Sequence, residues 1–256
     1  RKSIERVEKS IDALCELAIG GTAVGTGINC HPDFSKKVCS VLEKKTGIAF
    51  REARNHFEAQ AARDDCVEVA GHLATIAASM TKIANDIRLL GSGPRSGIAE
   101  ISLPSTQPGS SIMPGKVNPV MSEMLVQVSM YVMGLSNMVV MGGRDGHFEL
   151  NVTIPLIAYA LHESIHCLST GARTFTERCI ASIEPNKERC KELVDRSLML
   201  VTALNPHIGY DKAAQVAKTA FASNKTLREV VLEQGLLDEK TLDAALDPMD
   251  MVHPKA

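Results

Sequence analysis

The chain has 256 residues, of which 45% are hydrophobic and 23% charged, and its net charge is -2. This length is sufficient for one large domain or two unequal ones with a sizeable core. The near-neutral charge argues against a nucleic-acid partner, because no basic excess exists to neutralise phosphates. Aromatic residues are scarce at 4% and tryptophan is absent. Aliphatic and small residues therefore supply the core, which favours close helix packing over β-sheet.

The seven cysteines include no C-x-x-C pair. An odd number of scattered cysteines is typical of reduced thiols in a cytosolic or organelle-matrix protein, not of a disulfide framework or zinc site. The first twenty residues carry charges throughout, so they form neither a signal peptide nor a membrane span. The sequence opens within a helical pattern and without an initiator methionine. We therefore expect a fragment whose N-terminal part is missing.

Apolar periodicity predicts long helices over about residues 4–18, 57–90, 117–141 and 154–175, and shorter ones over 33–45, 212–222, 226–234 and 239–246. A glycine-rich turn, GGTAVGTG, lies between the predicted helices over 4–18 and 33–45. A loop rich in glycine, proline and serine covers residues 91–114, and loops of that length are usually functional or disordered. No strand alternation of useful length occurs.

The predicted helix over 117–141 is apolar on all sides. Asn118 suits its N-cap and Pro119 its first helical position. Such a helix lies in a large core or spans a membrane, and the polar residues Glu123, Gln127 and Asn137 favour the core. Because the chain offers few other long helices to surround it, we expect subunits to share that core. The composition shifts near Ile183. The prediction is an all-α, long-helix bundle domain over 1–184 and a small C-terminal helical domain over 185–256.

The segment PGSSIMPGKVNPVMSE, residues 108–123, carries the chemistry. Ser110 and Ser111 end a glycine-rich loop, Lys116 lies just before a helix start, and Asn118 lies at its expected cap. A helix start, a lysine and an amide together favour a bound carboxylate and a carbanion next to it. Glu123 faces a region where a lone carboxylate is costly, so it needs a partner such as a histidine. Each residue alone would be an ordinary loop or cap residue, and only their combination within fifteen positions indicates a site.

GSSIMPGKVNP resembles the signature Gly-Ser-Ser-x-Met-Pro-x-Lys-x-Asn of the fumarase/aspartase superfamily. Other segments resemble its class II fumarase branch, namely GGTAVGTG, KIANDIRLLGSGPRSGIAEI, FELNV, IEPNKER and SLMLVTALNPHIGYDKAA. Gly115 and HIGYDKAA resemble fumarases more than aspartases. The resemblance implies a fumarase/aspartase-like central bundle, a homotetramer with active sites shared between subunits, a small dicarboxylate substrate, and no metal or organic cofactor.

By position, the resemblance implies that Ser110 removes the proton from carbon 3 of malate. It also implies substrate contacts for Ser111, Lys116, Val117 and Asn118, and a pairing of Glu123 with an active-site histidine of the family. That histidine segment lies upstream of residue 1, so we expect the chain alone to be inactive. The expected reaction is the reversible hydration of fumarate to L-malate. The alternatives are an aspartate ammonia-lyase of the same superfamily and a catalytically inactive structural relative.

Four histidines need separate comment. His56 and His147 stand where fumarases usually have Lys and Asn; we interpret them as local variation, with a drift in substrate preference as the alternative. His162 and His166 are four residues apart on one predicted helix, which suits a metal-ligand pair, but no third ligand is evident. We expect no membrane partner and a cytoplasmic location, or the mitochondrial matrix if the source is eukaryotic.

Overall fold

The computed structural model describes residues 1–252, and nearly all of its regular structure is helical, which confirms the predicted all-α class. The helices are α1 (Lys2–Ala13), α2 (Phe34–Thr46), α3 (His56–Ala61), α4 (Asp64–Leu90), α5 (Val120–Arg144), α6 (Ile154–Arg178), α7 (Lys187–Asp195), α8 (Asn205–Ile208), α9 (Tyr210–Ser223), α10 (Leu227–Glu233), α11 (Glu239–Ala245) and α12 (Pro248–Met251). Two 3-10 helices cover Ile180–Ser182 and Leu198–Leu204. The strands are β1 (Glu16–Leu17), β2 (Arg51–Glu52), β3 (Ile101–Ser102) and β4 (Glu184–Pro185).

The chain divides into two compact units. The first consists of Arg1–Ser92 and Leu103–Ile183, and the second of Gly93–Ser102 and the segment from Glu184 onward. Residues 93–102 belong to the second unit because β3 pairs antiparallel with β4 and the Asn186 N–H donates to the Glu100 carbonyl at 2.8 Å. The chain therefore leaves the second unit at residue 102 and re-enters it at 184. The domain division at 184 stays a prediction.

The core of the first unit lies between α4, α5 and α6. Ala84, near the end of α4, clusters with Leu125, near the start of α5, whereas Val69 at the other end of α4 clusters with Val139. The two helices therefore run antiparallel. Ile157 and Leu168 of α6 complete the buried cluster. This packing holds the start of α5, and with it the end of the preceding loop, against a rigid layer.

Small residues recur every seventh position along the facing sides of α4 and α5. Ala70, Ala77 and Ala84 of α4 are fully buried, and the buried serines of α5 are Ser122, Ser129 and Ser136. A seven-residue repeat keeps these positions on one helix face. Side chains this small bring two backbones close together, and the larger residues Leu125, Val132 and Val139 fill the space beside them.

The two serines at the centre of this interface differ in their hydrogen bonding. The Ser136 hydroxyl donates to the Val132 carbonyl at 2.9 Å, whereas the buried Ser129 hydroxyl has no partner within residues 1–252. A buried unpaired polar group costs about 1–3 kcal/mol. We therefore expect Ser129→Ala to raise the free energy of unfolding by about 1 kcal/mol. The matched variant Ser136→Ala should leave it unchanged or lower it. Urea unfolding of both variants checks this, and equal destabilisation by both would contradict it.

The predicted helix over 57–90 is wrong as a single element, because α3 ends at Ala61 and α4 starts at Asp64. Arg63 between them has a left-handed backbone, with φ at 65°. The tight packing of this corner explains the break. A Cβ added at Gly146 would lie 2.7 Å from the Ala61 carbonyl oxygen, so the connection after α5 presses directly on the corner. Tertiary contact thus interrupts the single helix predicted over 57–90.

The predicted apolar stripe on the first helix exists but faces away from the core. Ile4, Val7 and Ile11 are exposed, whereas Ser10 on the adjacent face is buried and its hydroxyl lies 2.9 Å from His72 Nδ1 of α4. The helix ends at Ala13, and the chain then forms the short parallel pair of β1 with β2. Within residues 1–252 nothing covers this apolar face.

Helix α5 also presents an apolar face that no other part of residues 1–252 covers. Met130, Tyr131, Val140 and Met141 are exposed, and the hydrogen bond that the Tyr131 hydroxyl donates to Tyr159 of α6 raises the pKa of Tyr131. Among residues 1–252, α5 alone is long and apolar enough to cross a membrane by length and composition; its most apolar window has a mean hydropathy of 1.5 and is 33% buried. A helix in the core of an assembly meets the same criteria of length and composition.

The second unit has its own core, formed by the 3-10 helix Leu198–Leu204 with α9, α10 and α11. Its fully buried members include Leu204, Val216, Val230 and Leu242. Thr226 and Glu229 form a capping box at the start of α10, and the Asp238 carboxylate caps α11 through the Thr241 N–H. The predicted helices over 212–222, 226–234 and 239–246 correspond to α9, α10 and α11.

Candidate active site

The residues predicted to carry the chemistry lie in the connection that leads into α5. Residues 111–117 are exposed, Ser110 and Asn118 are half-buried, and Glu123 lies in the first turn of the helix. The connection is glycine-rich, and Gly115 has a φ of 77°, a left-handed conformation that a side chain at this position would strain. All six predicted site residues therefore belong to the first unit and to one short stretch of chain.

Ser110 is held in a tight turn by its own hydroxyl. Its Oγ accepts hydrogen bonds from the backbone N–H groups of Ile112 at 3.1 Å and Met113 at 3.0 Å. Two N–H donors on one oxygen stabilise negative charge on that oxygen. This arrangement lets Ser110 lose its own proton, which it must do before it can act as a base, more readily than a free serine. It also distinguishes Ser110 from Ser111, whose hydroxyl forms no such bond within residues 1–252.

The prediction that Asn118 caps the helix is wrong. α5 starts at Val120, its N-cap is Pro119, and no side chain donates or accepts a capping bond there. The Asn118 side chain instead donates from Nδ2 to the Gly109 carbonyl at 2.8 Å. The Gly109 N–H in turn donates to the Lys116 carbonyl at 2.9 Å. Asn118 therefore closes the loop that carries Ser110 rather than the helix that follows it.

Lys116 and the helix start supply the positive end of this site. The Lys116 side chain is exposed, and it forms no ion pair within residues 1–252. The first N–H groups of any α-helix lack partners inside the helix, and its dipole favours an anion there. Lys116 lies three residues before Pro119, the N-cap of α5. The loop thus offers an uncommitted cation beside a helix N-terminus, which is suitable for holding a carboxylate.

Within residues 1–252, Glu123 lacks the histidine partner predicted for it. It is half-buried in the first turn of α5, and its backbone N–H donates to the Pro119 carbonyl. No ion pair or side-chain hydrogen bond involves its carboxylate among the described residues. Val117 and Ser111 are exposed as well. Ser110, Lys116 and Asn118 therefore lie together in the loop. Glu123 lies in the first turn of α5, and no histidine pairs with it within residues 1–252.

The histidines singled out from the sequence lie outside this loop. His56 Nε2 lies 3.1 Å from the Ile19 carbonyl and 3.6 Å from Glu52 Oε1, and thus joins α3 to the segment before the glycine-rich turn. His147 lies in the turn between α5 and α6, where its N–H donates to the Leu150 carbonyl. His162 and His166 are exposed on α6, and no group of three or more potential metal ligands occurs within residues 1–252.

Gly109 is the site residue that sequence reasoning missed. A Cβ added there would lie 2.5 Å from the Lys116 carbonyl oxygen and 3.0 Å from the Asn118 nitrogen. Glycine is therefore required for the two ends of the loop to approach each other. Its signal in the sequence was its place as the first residue of the motif GSSIMPGKVNP, but the motif does not show why a glycine is needed there.

Comparisons with known proteins match most of the chain. A family model described as lyase matches residues 1–134, and one described as fumarase C C-terminus matches residues 200–253. The chain is 52% identical over 253 residues to the mitochondrial fumarate hydratase of Danio rerio, covering 99% of this chain and 50% of that protein. It is 50% identical over 254 residues to the class II fumarate hydratase of Oceanobacillus iheyensis, covering 99% of this chain and 55% of that protein.

Solved structures also superpose on this chain over nearly its whole length. The class II fumarase of Schistosoma mansoni superposes with a TM-score of 0.90 at 37% identity, covering 100% of this chain and 58% of that one. A fumarate lyase:delta crystallin from Brucella melitensis, bound to cobalt, superposes with a TM-score of 0.95 at 42% identity, covering 99% of this chain and 55% of that one. The chain thus spans about half the length of the curated relatives it matches, between 50% and 55%.

Proposed function

This chain belongs to the fumarase/aspartase family of lyases, and we propose that the whole protein is a fumarate hydratase, which interconverts fumarate and L-malate. The observation that carries the proposal is the loop geometry. The Ser110 oxygen accepts two backbone N–H groups in the same short loop that presents Lys116 at the start of α5. A base beside a carboxylate-binding group is what proton removal next to a carboxylate requires.

The first step, in the direction of malate dehydration, moves a proton from carbon 3 to Ser110. The C3–H bond breaks, and its electron pair spreads onto the oxygens of the neighbouring carboxylate. Lys116 and the N-terminus of α5 stabilise the added negative charge on that carboxylate. The N–H groups of Ile112 and Met113 stabilise the serine oxyanion that accepts the proton. Ser111, Val117 and Asn118 flank the same loop and are proposed as further contacts to the substrate.

The second step breaks the bond between carbon 2 and its hydroxyl oxygen. The electron pair on carbon 3 forms the double bond of fumarate, and the hydroxide leaves as water once an acid has given it a proton. We assign the acid function to a histidine paired with Glu123, because a half-buried carboxylate without a partner needs one. No histidine pairs with Glu123 within residues 1–252, so in this proposal the histidine comes from another part of the assembled protein.

The sibling reaction, loss of ammonia from aspartate, uses the same carbanion and the same carboxylate-binding loop. Gly115 and the segment HIGYDKAA at residues 207–214 resemble fumarases, and the two relatives compared above are fumarate hydratases. An assay of the intact protein separates the two reactions. We expect fumarate to form from L-malate and not from L-aspartate, with fumarate followed by its ultraviolet absorbance.

Three outcomes of that assay bear on the proposal. Turnover of malate supports it, and turnover of aspartate without malate would replace it by an ammonia-lyase function. Turnover of neither substrate by a folded intact protein would favour a structural relative without activity. The 256-residue chain, assayed beside the intact protein, is expected to be inactive because part of the site lies outside it.

We also propose that the protein assembles as a homotetramer with active sites shared between subunits. The exposed apolar face of α5 supports this, because an apolar stripe of that length needs cover and the chain supplies none within residues 1–252. A location in the cytoplasm or the mitochondrial matrix is proposed from the relatives, which include a mitochondrial and a bacterial fumarate hydratase.

A further inference from the structure

The loop that carries Ser110 is closed at its base by two hydrogen bonds to a single glycine. The Gly109 N–H donates to the Lys116 carbonyl at 2.9 Å, and the Gly109 carbonyl accepts from Asn118 Nδ2 at 2.8 Å. The side-chain amide of Asn118 thus takes the place of a backbone donor. The base of the loop therefore has two hydrogen bonds, where the backbone alone would form one.

The packing around Gly109 leaves no room for a side chain at this position. A Cβ at Gly109 would lie 2.5 Å from the Lys116 carbonyl oxygen, below the distance that carbon and oxygen can approach without displacement. Closure of the loop therefore depends on two side-chain identities at once, the absent side chain at 109 and the amide at 118.

The rest of the loop has no other hydrogen-bonded attachment. The hydrogen bonds inside it run from Ile112 and Met113 to Ser110 and from Lys116 to Met113. Within residues 1–252, no hydrogen bond joins residues 110–115 to a residue outside the loop. The two bonds to Gly109 are thus the polar contacts that fix the loop to its stem, and they lie directly beside Ser110.

We propose that Asn118 is a positioning residue, which with Gly109 latches the catalytic loop closed and so fixes Ser110 relative to Lys116. The proposal rests on the proposed function for the meaning of Ser110, but the latch itself is defined by the Asn118 and Gly109 contacts. Displacement of a reacting group by about 1 Å costs about 100-fold in rate. A residue that never touches the reacting atoms can therefore affect turnover strongly through the loop.

Hydrogen exchange in the intact, substrate-free protein tests the latch without reference to activity. The probes are the amide hydrogens of Ile112 and Met113, which are bound to Ser110 when the loop is closed. Loss of one hydrogen bond in Asn118→Ala should speed their exchange by about 3- to 10-fold. Asn118→Asp keeps the side-chain shape but has no N–H to donate, so it should speed exchange equally.

A double variant and a control complete the exchange experiment. Gly109→Ala should open the same latch, so Gly109→Ala combined with Asn118→Ala should exchange no faster than the faster single variant. The matched control is Gln107→Ala, an exposed position in the same connection outside the latch, which should exchange at the wild-type rate. Wild-type exchange in both Asn118 variants would overturn the proposal, as would additive effects in the double variant.

Kinetics of the same variants separate positioning from substrate binding. A latch predicts that Asn118→Ala lowers kcat by about 10- to 100-fold with a smaller change in KM. A raised KM with unchanged kcat would assign Asn118 to binding alone and overturn the positioning function. If the wild-type intact protein turns over neither malate nor aspartate, the proposed function fails while the exchange measurements still decide the latch.

Discussion

Ser110→Ala in the intact protein is expected to lower kcat for malate dehydration by about 100- to 10,000-fold and to leave KM nearly unchanged. The change removes the only atom proposed to accept the carbon 3 proton. It also removes the oxygen on which the Ile112 and Met113 N–H groups converge. Lys116 and the start of α5 remain, so the substrate still binds. Initial rates over a range of malate concentrations give kcat and KM separately.

Two serines in the same connection provide the controls for this variant. Ser111→Ala should affect binding more than turnover, because the Ser111 hydroxyl accepts no backbone N–H within residues 1–252. Ser105→Ala, at an exposed position before the loop, should behave as the wild type. Full activity of Ser110→Ala would show that another group removes the proton, and a loss confined to Ser111→Ala would exchange the functions of the two serines.

Met130→Lys is expected to dissociate the proposed tetramer and abolish its activity. Met130 is 62% exposed in this chain and lies on the uncovered apolar face of α5 with Tyr131 and Met141. If another subunit covers that face, the variant buries an unpaired charge in the interface, which costs about 3–5 kcal/mol. Sedimentation or light scattering reports the mass of the assembly, and the malate assay reports whether the shared sites survive.

A second exposed methionine gives the matched control for the assembly experiment. Met199 is 80% exposed in the second unit, so Met199→Lys introduces the same charge outside the α5 face. We expect it to retain the wild-type mass and activity. A stable, active tetramer formed by Met130→Lys would exclude this face from the interface, and dissociation by both variants would show that the effect is not specific to α5.

The sequence was sufficient for the helices whose apolar residues recur without interruption. α6 was predicted from its apolar periodicity and α5 from a long apolar run after an Asn-Pro start, and their observed bounds differ by a few residues because helix ends depend on local capping. The all-helical class followed for the same reason. The chemistry of residues 108–123 was also readable, because a serine pair, a lysine and a helix start within one short segment stay near each other in any fold.

Tertiary contacts decided what local patterns left open. The break at Arg63 follows from the approach of Gly146 to the Ala61 carbonyl, which no periodicity in residues 57–90 reveals. The exposed apolar stripe of α1 is a second example. Periodicity identified the apolar residues that need cover, but it did not show which face of α1 packs in this chain. In the structure, α1 packs against α4 through the contact of Ser10 with His72.

The loop before α5 combines both kinds of information. The sequence by itself determined that Ser110, Lys116 and Asn118 lie together at the start of a helix, because chain connectivity keeps them within a few residues. Only the tertiary structure decided what Asn118 does, because a side-chain amide bonds to whichever partner the folded backbone presents. Here that partner is the Gly109 carbonyl, brought within 2.8 Å by a glycine that allows the two ends of the loop to touch.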